Sequence, residues 1–324
     1  QLADGLLNSE VDAVVMNRAY ISVLKEMEGY KDIEDKIKEV KVINVEQEAK
    51  DPSDSTADDL ISDSEGKTFT VFISGIDTRG TEMIESSRSD VNIIATINTE
   101  TKQVLLLSTP RDYYIPLSIS NGAKDKLTHA GIYGVDVCMD TLEMLYGVNI
   151  DYYFRVNFSG FEEIINSLGG VNVYSEQSFS TEHYSYTEGY NYMDGAKALE
   201  FVRERYSFAD GDFQRGRNQL ALIQGVLDKM ISADMLMNYN SVLDAVEGSF
   251  ETSIPYDVLS KIVRDQLSGG GSWNIVSYSV SGAGDMQSTY SAGYASVVIP
   301  DESTVSTAKE LINQVYNGET ISKP

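Results

Sequence analysis

The sequence predicts an α/β domain whose sheet is covered by helices on both faces. Short apolar runs typical of buried strands alternate along most of the chain with amphipathic segments of helical spacing. Hydrophobic residues make up 42% of the 324 residues and charged residues 23%, so the chain can bury a sizeable core and is not disordered. No internal repeat is visible.

Residues 1–46 are predicted to form a small α/β accessory segment in the order helix, strand, helix, strand. A segment of this length buries little surface alone, so it belongs to a larger accessory domain or docks on the domain after it. Residues 47–67 are acidic and rich in Ser, Asp and Thr, which predicts a solvated linker. The main domain is therefore predicted over residues 68–324.

Three apolar strands open this domain: FTVFISGID, VNIIATIN and QVLLLSTP, of which the last two are joined by the short loop TETK. The segment THAGIYGVDVCMDTLEMLYG has helical spacing, and Gly147 marks its end. We then expect a strand at YYFRVN, a helix over SGFEEIINSLGG that closes on two glycines, and a strand at VNVYSE.

The second half continues the alternation. MDGAKALEFVRER is predicted as a helix that leads into a group of arginines. FQRGRNQLALIQGVLDKM is predicted as a long amphipathic helix, for which Asp212 is the candidate N-cap. Beyond it we expect two further helical segments, a strand bearing Trp273, a strand at ASVVIP and a closing helix from Thr304 to about Tyr316.

Composition and motif content argue against several classes of protein. A net charge of −25 argues against a nucleic-acid-binding surface and against a broad basic patch for anionic membranes. The single cysteine, Cys138, excludes an internal disulfide, and nothing places His129 and His183 together as a zinc site requires. There is no P-loop motif, and FSGFE lacks the spacing of a serine-hydrolase motif.

The sequence holds no stretch that approaches the roughly 18 uncharged apolar residues needed to span a membrane. It begins at Gln1, without a methionine, inside an amphipathic pattern. We therefore expect that an N-terminal segment, with whatever anchored or addressed the protein, is absent from this sequence.

The stretch FVRERYSFADGDFQRGRNQ gathers four arginines in a strongly acidic chain. Arginine suits sites that grip phosphate or carboxylate. Arg215 and Gln219 share a helix face near the predicted helix N-terminus, which itself favours an anion. Arg203 and Arg205 lie on one side only if the chain there is extended, and Arg217 is expected to point away from Arg215.

The loop GIDTRGTEMIESSRSD leaves the end of the first predicted strand, where open α/β sheets tend to bind ligands. It begins at Asp77 and ends at Asp90, with Arg79 and Arg88 between them. The two carboxylates could share a Mg²⁺ ion together with phosphate oxygens. Alternatively, they are turn residues or pair locally with the arginines.

Arg111 and Asp112 follow another predicted strand, and on this stretch alone they form either part of a site or a surface salt bridge. Taken with the other two segments, they could meet at one sheet edge. Several guanidinium groups and a metal at one place suit a pyrophosphate better than a single carboxylate. The chain also has twenty tyrosines, many within residues 113–206, which could line a sugar groove or simply fill a rim.

These segments resemble the LytR–CpsA–Psr family, and most closely its capsular-polysaccharide (CpsA-type) members. The resemblance rests on FISGIDTRG, SRSDVNIIATIN, LLSTPRDYYIPL, DKLTHAGIYG, NFSGFEEIINSLGGVNV and LEFVRERYSFADGDFQRGRNQ, which follow one another in the family's order. It covers residues 68–232 densely and the remainder more loosely. It implies a central mixed β-sheet flanked by helices on both faces, with residues 1–46 as part of an accessory domain.

The resemblance also implies an activity. Members are membrane-anchored proteins of Gram-positive bacteria whose catalytic domain lies outside the cell. They transfer a glycopolymer, such as capsular polysaccharide or teichoic acid, from a polyprenyl pyrophosphate carrier to a peptidoglycan hydroxyl, and they release polyprenyl phosphate. An apolar tunnel between the sheet and its covering helices would hold the lipid.

By motif position, the resemblance assigns roles to residues of this chain. Asp77 and Asp90 would hold Mg²⁺, with Mn²⁺ as an alternative cation, and together with Arg111 and Arg205 they would be the catalytic residues. The residues that would grip the pyrophosphate are Arg88, Arg111, Arg203, Arg205, Arg215 and Gln219. The base that deprotonates the acceptor is not evident.

Two other functions remain open at this point. The same site could act as a polyprenyl-pyrophosphate pyrophosphatase if water replaced the sugar hydroxyl. The protein could also be a non-catalytic or regulatory binder of polyprenyl phosphates. A transcriptional regulator is disfavoured by the acidic charge and by the lack of a basic recognition helix.

Overall fold

The fold is taken from a computed structural model of the chain. It describes residues 67–76, 87–232, 235–236, 242, 244–246 and 248–324, together with Asn8. The predicted accessory segment (1–46) and the predicted linker (47–67) lie outside the described residues, apart from Asn8 and Lys67. That part of the domain division stays a prediction.

A six-stranded mixed sheet forms the centre of the described domain. Its strands, numbered in chain order, are β1 (Thr68–Ile76), β2 (Ser89–Asn98), β3 (Gln103–Ser108), β6 (Tyr152–Asn157), β11 (Phe250–Thr252) and β12 (Asn274–Ser279). They lie in the order β11-β6-β1-β2-β3-β12. The pairs β1–β6 and β3–β12 are parallel and the other neighbours are antiparallel. The carboxyl ends of β1, β3, β6 and β12 therefore meet the amino end of β2 at one edge.

Helices pack on both faces of this sheet, as predicted. The helices of the described residues are α1 (Val135–Tyr146), α2 (Phe158–Ser167), α3 (Gly195–Arg203), α4 (Asp212–Met230), α5 (Tyr256–Gly269) and α6 (Glu302–Tyr316), with a 3₁₀ helix at Leu127–Tyr133. Helices α1 and α6 cover one face, where their buried residues join a core with those of β1, β2 and β3. Helix α4 covers the other face through Leu220.

Short two-stranded sheets surround the central one. They are formed by β4 (Tyr114–Pro116) with β5 (Lys124–Lys126), β7 (Val171–Ser175) with β10 (Gly189–Met193), β8 (Phe179–Ser180) with β9 (Ser185–Tyr186), and β13 (Gly282–Thr289) with β14 (Gly293–Pro300). The sequence predicted β7 and β14. It did not predict β13, the hairpin partner of β14, because most residues of β13 are exposed and its sequence shows no alternation of apolar and polar residues.

The single helix predicted over residues 128–146 is divided in two. Gly134, with φ of +114°, separates the 3₁₀ helix from α1. The 3₁₀ segment packs closely on the start of β2. A Cβ atom on Gly131 would lie only 2.3 Å from the carbonyl oxygen of Ser87, so this contact requires glycine. The predicted end of α1 is confirmed, since Gly147 adopts the left-handed conformation with φ of +71°.

The predicted N-cap of α4 is wrong by one residue. Asp212 is the first helical residue, and Gly211, with φ of +48°, precedes it as the cap without a side-chain hydrogen bond. The carboxylate of Asp212 is engaged with arginines instead. Among the described residues, no helix is both long and apolar enough to cross a membrane.

Candidate active site

A cavity lies at the sheet edge where β3 and β12 end and β2 begins. Its wall is completed by the first turns of α4. Asp90, Arg111, Asp212, Arg215 and Gln219 line it, so three segments that are far apart in sequence meet there. Parallel strands bring their carboxyl ends to a common edge, which is the usual place for ligands in such sheets.

Arg111 and Asp90 form one side of the cavity. The Nη1 atom of Arg111 lies 3.0 Å from Oδ1 of Asp90, and both side chains are mostly buried. The same Asp90 oxygen accepts a hydrogen bond of 3.2 Å from Oγ1 of Thr128, which belongs to the 3₁₀ helix. The close packing of Gly131 on the start of β2 therefore sets the position of the Asp90 carboxylate.

Asp112 connects Arg111 to Lys126. Oδ1 of Asp112 lies 3.7 Å from Nε of Arg111 and 3.2 Å from Nζ of Lys126. Arg111 is thus flanked by two carboxylates, Asp90 and Asp112. Sequence reasoning considered Asp112 as part of a site or a surface salt bridge and missed Lys126, because no local pattern links residues that meet through the pairing of β4 with β5.

Helix α4 brings its amino end to the cavity at close range. A Cβ atom on Gly216 would lie 3.3 Å from Oγ of Ser108, so the glycine lets the helix approach the end of β3. Arg215 and Gln219, one helical turn apart, both line the cavity. Nε2 of Gln219 donates a 3.3 Å hydrogen bond to the Val202 carbonyl, which orients the amide.

Asp212 holds two arginines. Its Oδ1 atom lies 3.3 Å from Nη2 of Arg215 and 3.7 Å from Nη1 of Arg205. Sequence reasoning gave this residue a capping role, and the structure replaces that role with an ion-pair bridge. The signal that could have indicated it is the spacing of three residues between Asp212 and Arg215, which places them on one helix face.

Arg215 carries a buried positive charge. Burial lowers the pKa of its guanidinium, and the neighbouring Arg111 and Arg205 lower it further, while Asp212 and Asp90 act in the opposite direction. Because a guanidinium stays protonated at neutral pH, this charge is poorly solvated, and two other arginines lie near it beside its partner Asp212. An anion in the cavity would relieve that cost.

The remaining predicted binding residues lie around the cavity rather than in its wall. Arg205 reaches it through Asp212 and stacks on the ring of Tyr206, with Cζ 4.7 Å from the centroid. Arg203, the last residue of α3, is exposed and lies 4.3 Å over the ring of Phe158. Arg88 is half-buried and stands two residues before Asp90. Arg203 is thus not brought to the cavity wall.

Arg217 points away from Arg215, as its helix position predicts. Its Nε atom lies 2.9 Å from Oε2 of Glu176, and it also pairs with Asp210. These contacts tie the first turns of α4 to the end of β7. Arg217 therefore belongs to the packing that holds the cavity rather than to its wall.

The predicted metal site is only partly within the described residues. Asp90 lies on the cavity wall, whereas Asp77 lies outside the described residues. Across the described ranges, no group of three or more His, Cys, Asp or Glu residues is placed to hold a metal ion by itself. Mg²⁺ is commonly bound by one or two carboxylates with phosphate oxygens and water, so the Asp90 carboxylate fits such an ion together with a phosphorylated ligand.

Comparison with known proteins adds independent support. Residues 20–313 match the LytR_cpsA_psr family. A protein of Enterococcus faecalis named polyisoprenyl-teichoic acid–peptidoglycan teichoic acid transferase TagU is 33% identical over 248 residues, which cover 76% of this chain and 80% of that protein. A protein of the same name from Bacillus cereus is 32% identical over 214 residues, or 66% of this chain and 69% of the relative.

A solved structure shows the same fold. The crystal structure of B. subtilis TagV superposes with a TM-score of 0.66 and 24% sequence identity, covering 79% of this chain and 99% of that one. The chain therefore shares its overall fold with that structure. The finer resemblance to capsular-polysaccharide members stays a prediction, because both TagU relatives carry teichoic acid names. With the matched motifs, the sheet-edge cavity and the shared fold in agreement, the chain belongs to the LytR_cpsA_psr family.

Proposed function

We propose that this protein is a phosphotransferase that attaches a polyprenyl-pyrophosphate-linked glycopolymer to peptidoglycan and releases polyprenyl phosphate. The observation that carries the proposal is the meeting of Arg111, Arg205 and Arg215 with Asp90 and Asp212 at one sheet-edge cavity. It is supported by relatives whose names describe transfer of teichoic acid from a polyisoprenyl carrier to peptidoglycan.

The reaction exchanges one phosphorus–oxygen bond for another. The acceptor hydroxyl oxygen attacks the phosphorus that carries the glycan, and the bond from that phosphorus to the bridging oxygen breaks. The electron pair leaves with polyprenyl phosphate, and the proton of the hydroxyl passes to a base. Negative charge grows on the departing phosphate, so catalysis depends on positioning and on charge stabilisation.

The arginines supply both. Arg111 and Arg215, which line the cavity from two different segments, would donate to non-bridging oxygens, since guanidinium forks suit phosphate. Arg205, joined to Arg215 through Asp212, would face the same group from the solvent side. Gln219, whose amide is oriented by the Val202 carbonyl, would complete the set as a neutral hydrogen-bonding group.

We further propose that Asp90, with Asp77, holds Mg²⁺ next to the pyrophosphate. A bound cation would neutralise charge that builds up on the phosphates during transfer. The contact of Arg111 with Asp90 would keep the carboxylate turned toward the cavity wall in the absence of substrate. Mn²⁺, which accepts the same oxygen ligands, is the expected substitute.

The lipid-linked substrate also suggests where the protein acts. We propose a membrane-attached protein whose catalytic domain faces the cell wall, with capsular polysaccharide as a second candidate polymer beside teichoic acid. For the lipid tail we propose the sheet face beneath α4. A few fully buried residues lie between this face and α4. Partly buried apolar side chains pack around them, among them Ile73 and Phe154 from the sheet and Ile223 and Leu227 from α4.

The test is an in vitro transfer assay with purified polyprenyl-pyrophosphate-linked teichoic acid and peptidoglycan strands. Wild-type protein should release polyprenyl phosphate and form polymer linked to peptidoglycan. Arg111→Ala should lower the rate by roughly a hundred- to a thousandfold, as for loss of a group that stabilises transition-state charge. Arg264→Ala, an exposed arginine on α5, is the matched control and should keep full activity.

The same assay separates the alternatives. Polyprenyl phosphate released at equal rates with and without peptidoglycan, with no linked polymer, would identify a pyrophosphatase. Lipid binding without any product from either reaction would identify a non-catalytic carrier. Full turnover by Arg111→Ala would remove the proposed role of the cavity.

A further inference from the structure

The hairpin of β7 and β10 exposes a group of tyrosines that the proposed chemistry does not use. Tyr174 on β7 and Tyr190 and Tyr192 on β10 are 47%, 76% and 61% exposed. Side chains alternate along a strand, and Tyr190 pairs directly with Tyr174 across the ladder, so all three lie on the outer face. Exposed aromatic rings grouped in this way usually mark an interaction surface.

The rings are held in place before any ligand arrives. Tyr174 and Tyr190 contact each other edge to face, with centroids 5.4 Å apart. The hydroxyl of Tyr192 donates a 2.8 Å hydrogen bond to the Gly169 carbonyl. The ring of Tyr192 lies against Gly170, where a Cβ atom would approach its atoms to 2.5 Å. The two glycines that close α2 therefore provide the seat for this ring.

The inner face of the hairpin is firmly anchored. Val171, Val173 and Met193 are buried in a core shared with α3 and α4. A carbonyl of β7 also packs closely on α4, because a Cβ atom on Gly225 would lie 2.6 Å from the oxygen of Asn172. The tyrosine face is thus the outer side of a rigid element, and it loses little conformational freedom when a ligand binds.

The charge around the tyrosines limits what they can bind. Their strand neighbours with exposed side chains are Glu188, Asp194 and the neutral Asn172, together with Glu176, whose charge is paired with Arg217. Within the described hairpin, residues 171–175 and 189–193, there is no lysine or arginine. A polyanion such as a phosphate-linked polymer would be repelled, whereas an uncharged polysaccharide backbone would not. Flat phenol rings stack on the C–H faces of sugars, and their hydroxyl groups can hydrogen-bond to sugar hydroxyls.

The face is also connected to the cavity. The strand β7 continues into Glu176 and Gln177, which contact Arg217 at 2.9 Å and Gln214 at 3.1 Å. Both partners lie in the first turns of α4, whose Arg215 lines the cavity. The end of β7 and the wall of the cavity are thus joined through the first turns of α4.

We propose that Tyr174, Tyr190 and Tyr192 form a platform that binds the sugar backbone of the acceptor glycan strand. The identification of the strand as acceptor rests on the proposed transferase function. The platform supplies affinity for the chain of sugars, and the arginines bind the phosphate of the donor. The two polymers are thereby separated by charge.

The test measures binding of soluble, uncrosslinked peptidoglycan glycan strands stripped of teichoic acid, by isothermal titration calorimetry. Tyr190→Ala and Tyr174→Ala should each raise Kd by roughly five- to tenfold, the range for loss of a stacked ring. Tyr190→Phe, which keeps the ring, should stay within about twofold of wild type. Tyr294→Ala removes an equally exposed tyrosine from β14 and should have no effect.

Three outcomes would overturn the platform. They are an unchanged Kd in both alanine variants, an equal loss in Tyr294→Ala, and a loss of binding to purified teichoic acid instead of to glycan strands. The Arg111→Ala variant separates this proposal from the transferase proposal, because it should bind strands with wild-type affinity while transfer is lost. In the transfer assay, the tyrosine variants should raise KM for the strand and leave kcat unchanged.

Discussion

The two faces of the central sheet are packed differently. On the face covered by α1 and α6, the strands contribute fully buried residues such as Phe72, Leu105 and Leu107 to one large core. On the face covered by α4, the fully buried set is small, and partly buried side chains such as Phe69 and Ile73 surround it. Alternate residues of the same strands supply both faces, so the difference comes from the covering layer. The face under α1 and α6 therefore contributes more buried surface to the stability of the fold, and the face under α4 is the one proposed for the lipid tail.

The largest expected effect compares neighbouring residues on the two faces. Phe72→Ala should lower the free energy of unfolding by about 3–5 kcal/mol, because it leaves a cavity in the closed core. Ile73→Ala, on the opposite face, should cost less than about 2 kcal/mol, since its side chain is already partly exposed. Urea denaturation of both variants provides the measurement. Equal losses would show that the two faces are equally closed.

The next largest effect concerns the contact between the 3₁₀ helix and the start of β2, the strand that carries Asp90. Gly131→Ala places a Cβ atom 2.3 Å from the carbonyl oxygen of Ser87, so β2 must shift at its start. We expect a loss of stability of about 1–3 kcal/mol and a lower transfer rate, because Asp90 moves with the strand. Gly284→Ala, which meets no atom within 4 Å, is the control and should leave both quantities unchanged. Wild-type activity in Gly131→Ala would show that the 3₁₀ helix does not set the position of Asp90.

A smaller effect tests whether the lipid tail binds on the sheet face covered by α4. The double substitution Ile223→Ala with Leu227→Ala removes apolar surface from α4. It should weaken binding of a long-chain polyprenyl phosphate by roughly tenfold and leave binding of a two-unit isoprenyl phosphate unchanged. Fluorescence competition can measure both affinities. Leu267→Ala, an exposed leucine on α5, is the matched control, and an equal loss for both lipids would contradict the assignment.

The smallest expected effect is a pH dependence of stability on the closed face. Burial alone would raise the pKa of Asp125, but hydrogen bonds from His129, Ser291 and the amide of Lys126 outweigh it and hold that pKa below its usual range. A carboxylate whose pKa is lower in the folded state stabilises the fold above the unfolded pKa and loses this effect as pH falls through the folded one. The free energy of unfolding of the wild type should therefore decrease as the pH is lowered below about 4.

A matched variant isolates this contribution. Asp125→Asn removes the titrating group while keeping a similar shape, so its free energy of unfolding should decline less steeply between about pH 4 and pH 2. Asp265→Asn serves as the control, because Asp265 is exposed on the surface of α5. Parallel pH profiles for wild type and Asp125→Asn would show that Asp125 does not contribute.

The main strands of the central sheet could be predicted from the sequence because their signal is local. The run QVLLLS is apolar at its four central positions and buried throughout, since both faces of β3 are covered. The carboxyl ends of such strands meet at one edge, so the gathering of the segments around Asp90, Arg111 and Arg215 could be expected. Two predictions that failed, the continuous helix over residues 128–146 and the N-cap at Asp212, concern boundaries set by single glycines.

Other features of the site had no local signal. The stacking of Arg203 on Phe158 depends on the packing of α3 beside α2, and the bridge from Asp112 to Lys126 depends on a short strand pairing. The tyrosine platform depends on which face of a small hairpin is covered by helices. A count of tyrosines could not distinguish a platform from a rim.

The sequence by itself determined the alternation of strands and helices and the kinds of side chain available for an anion, because composition and periodicity record burial and charge directly. The family was indicated separately, by the resemblance of several motifs that follow one another in the family's order. Only the tertiary structure decided which arginines reach the cavity, which carboxylates hold them, and which face of the sheet stays partly open. These are contacts between residues that are distant in the chain. Their geometry follows from how whole helices dock on the sheet, and no short stretch of sequence encodes it.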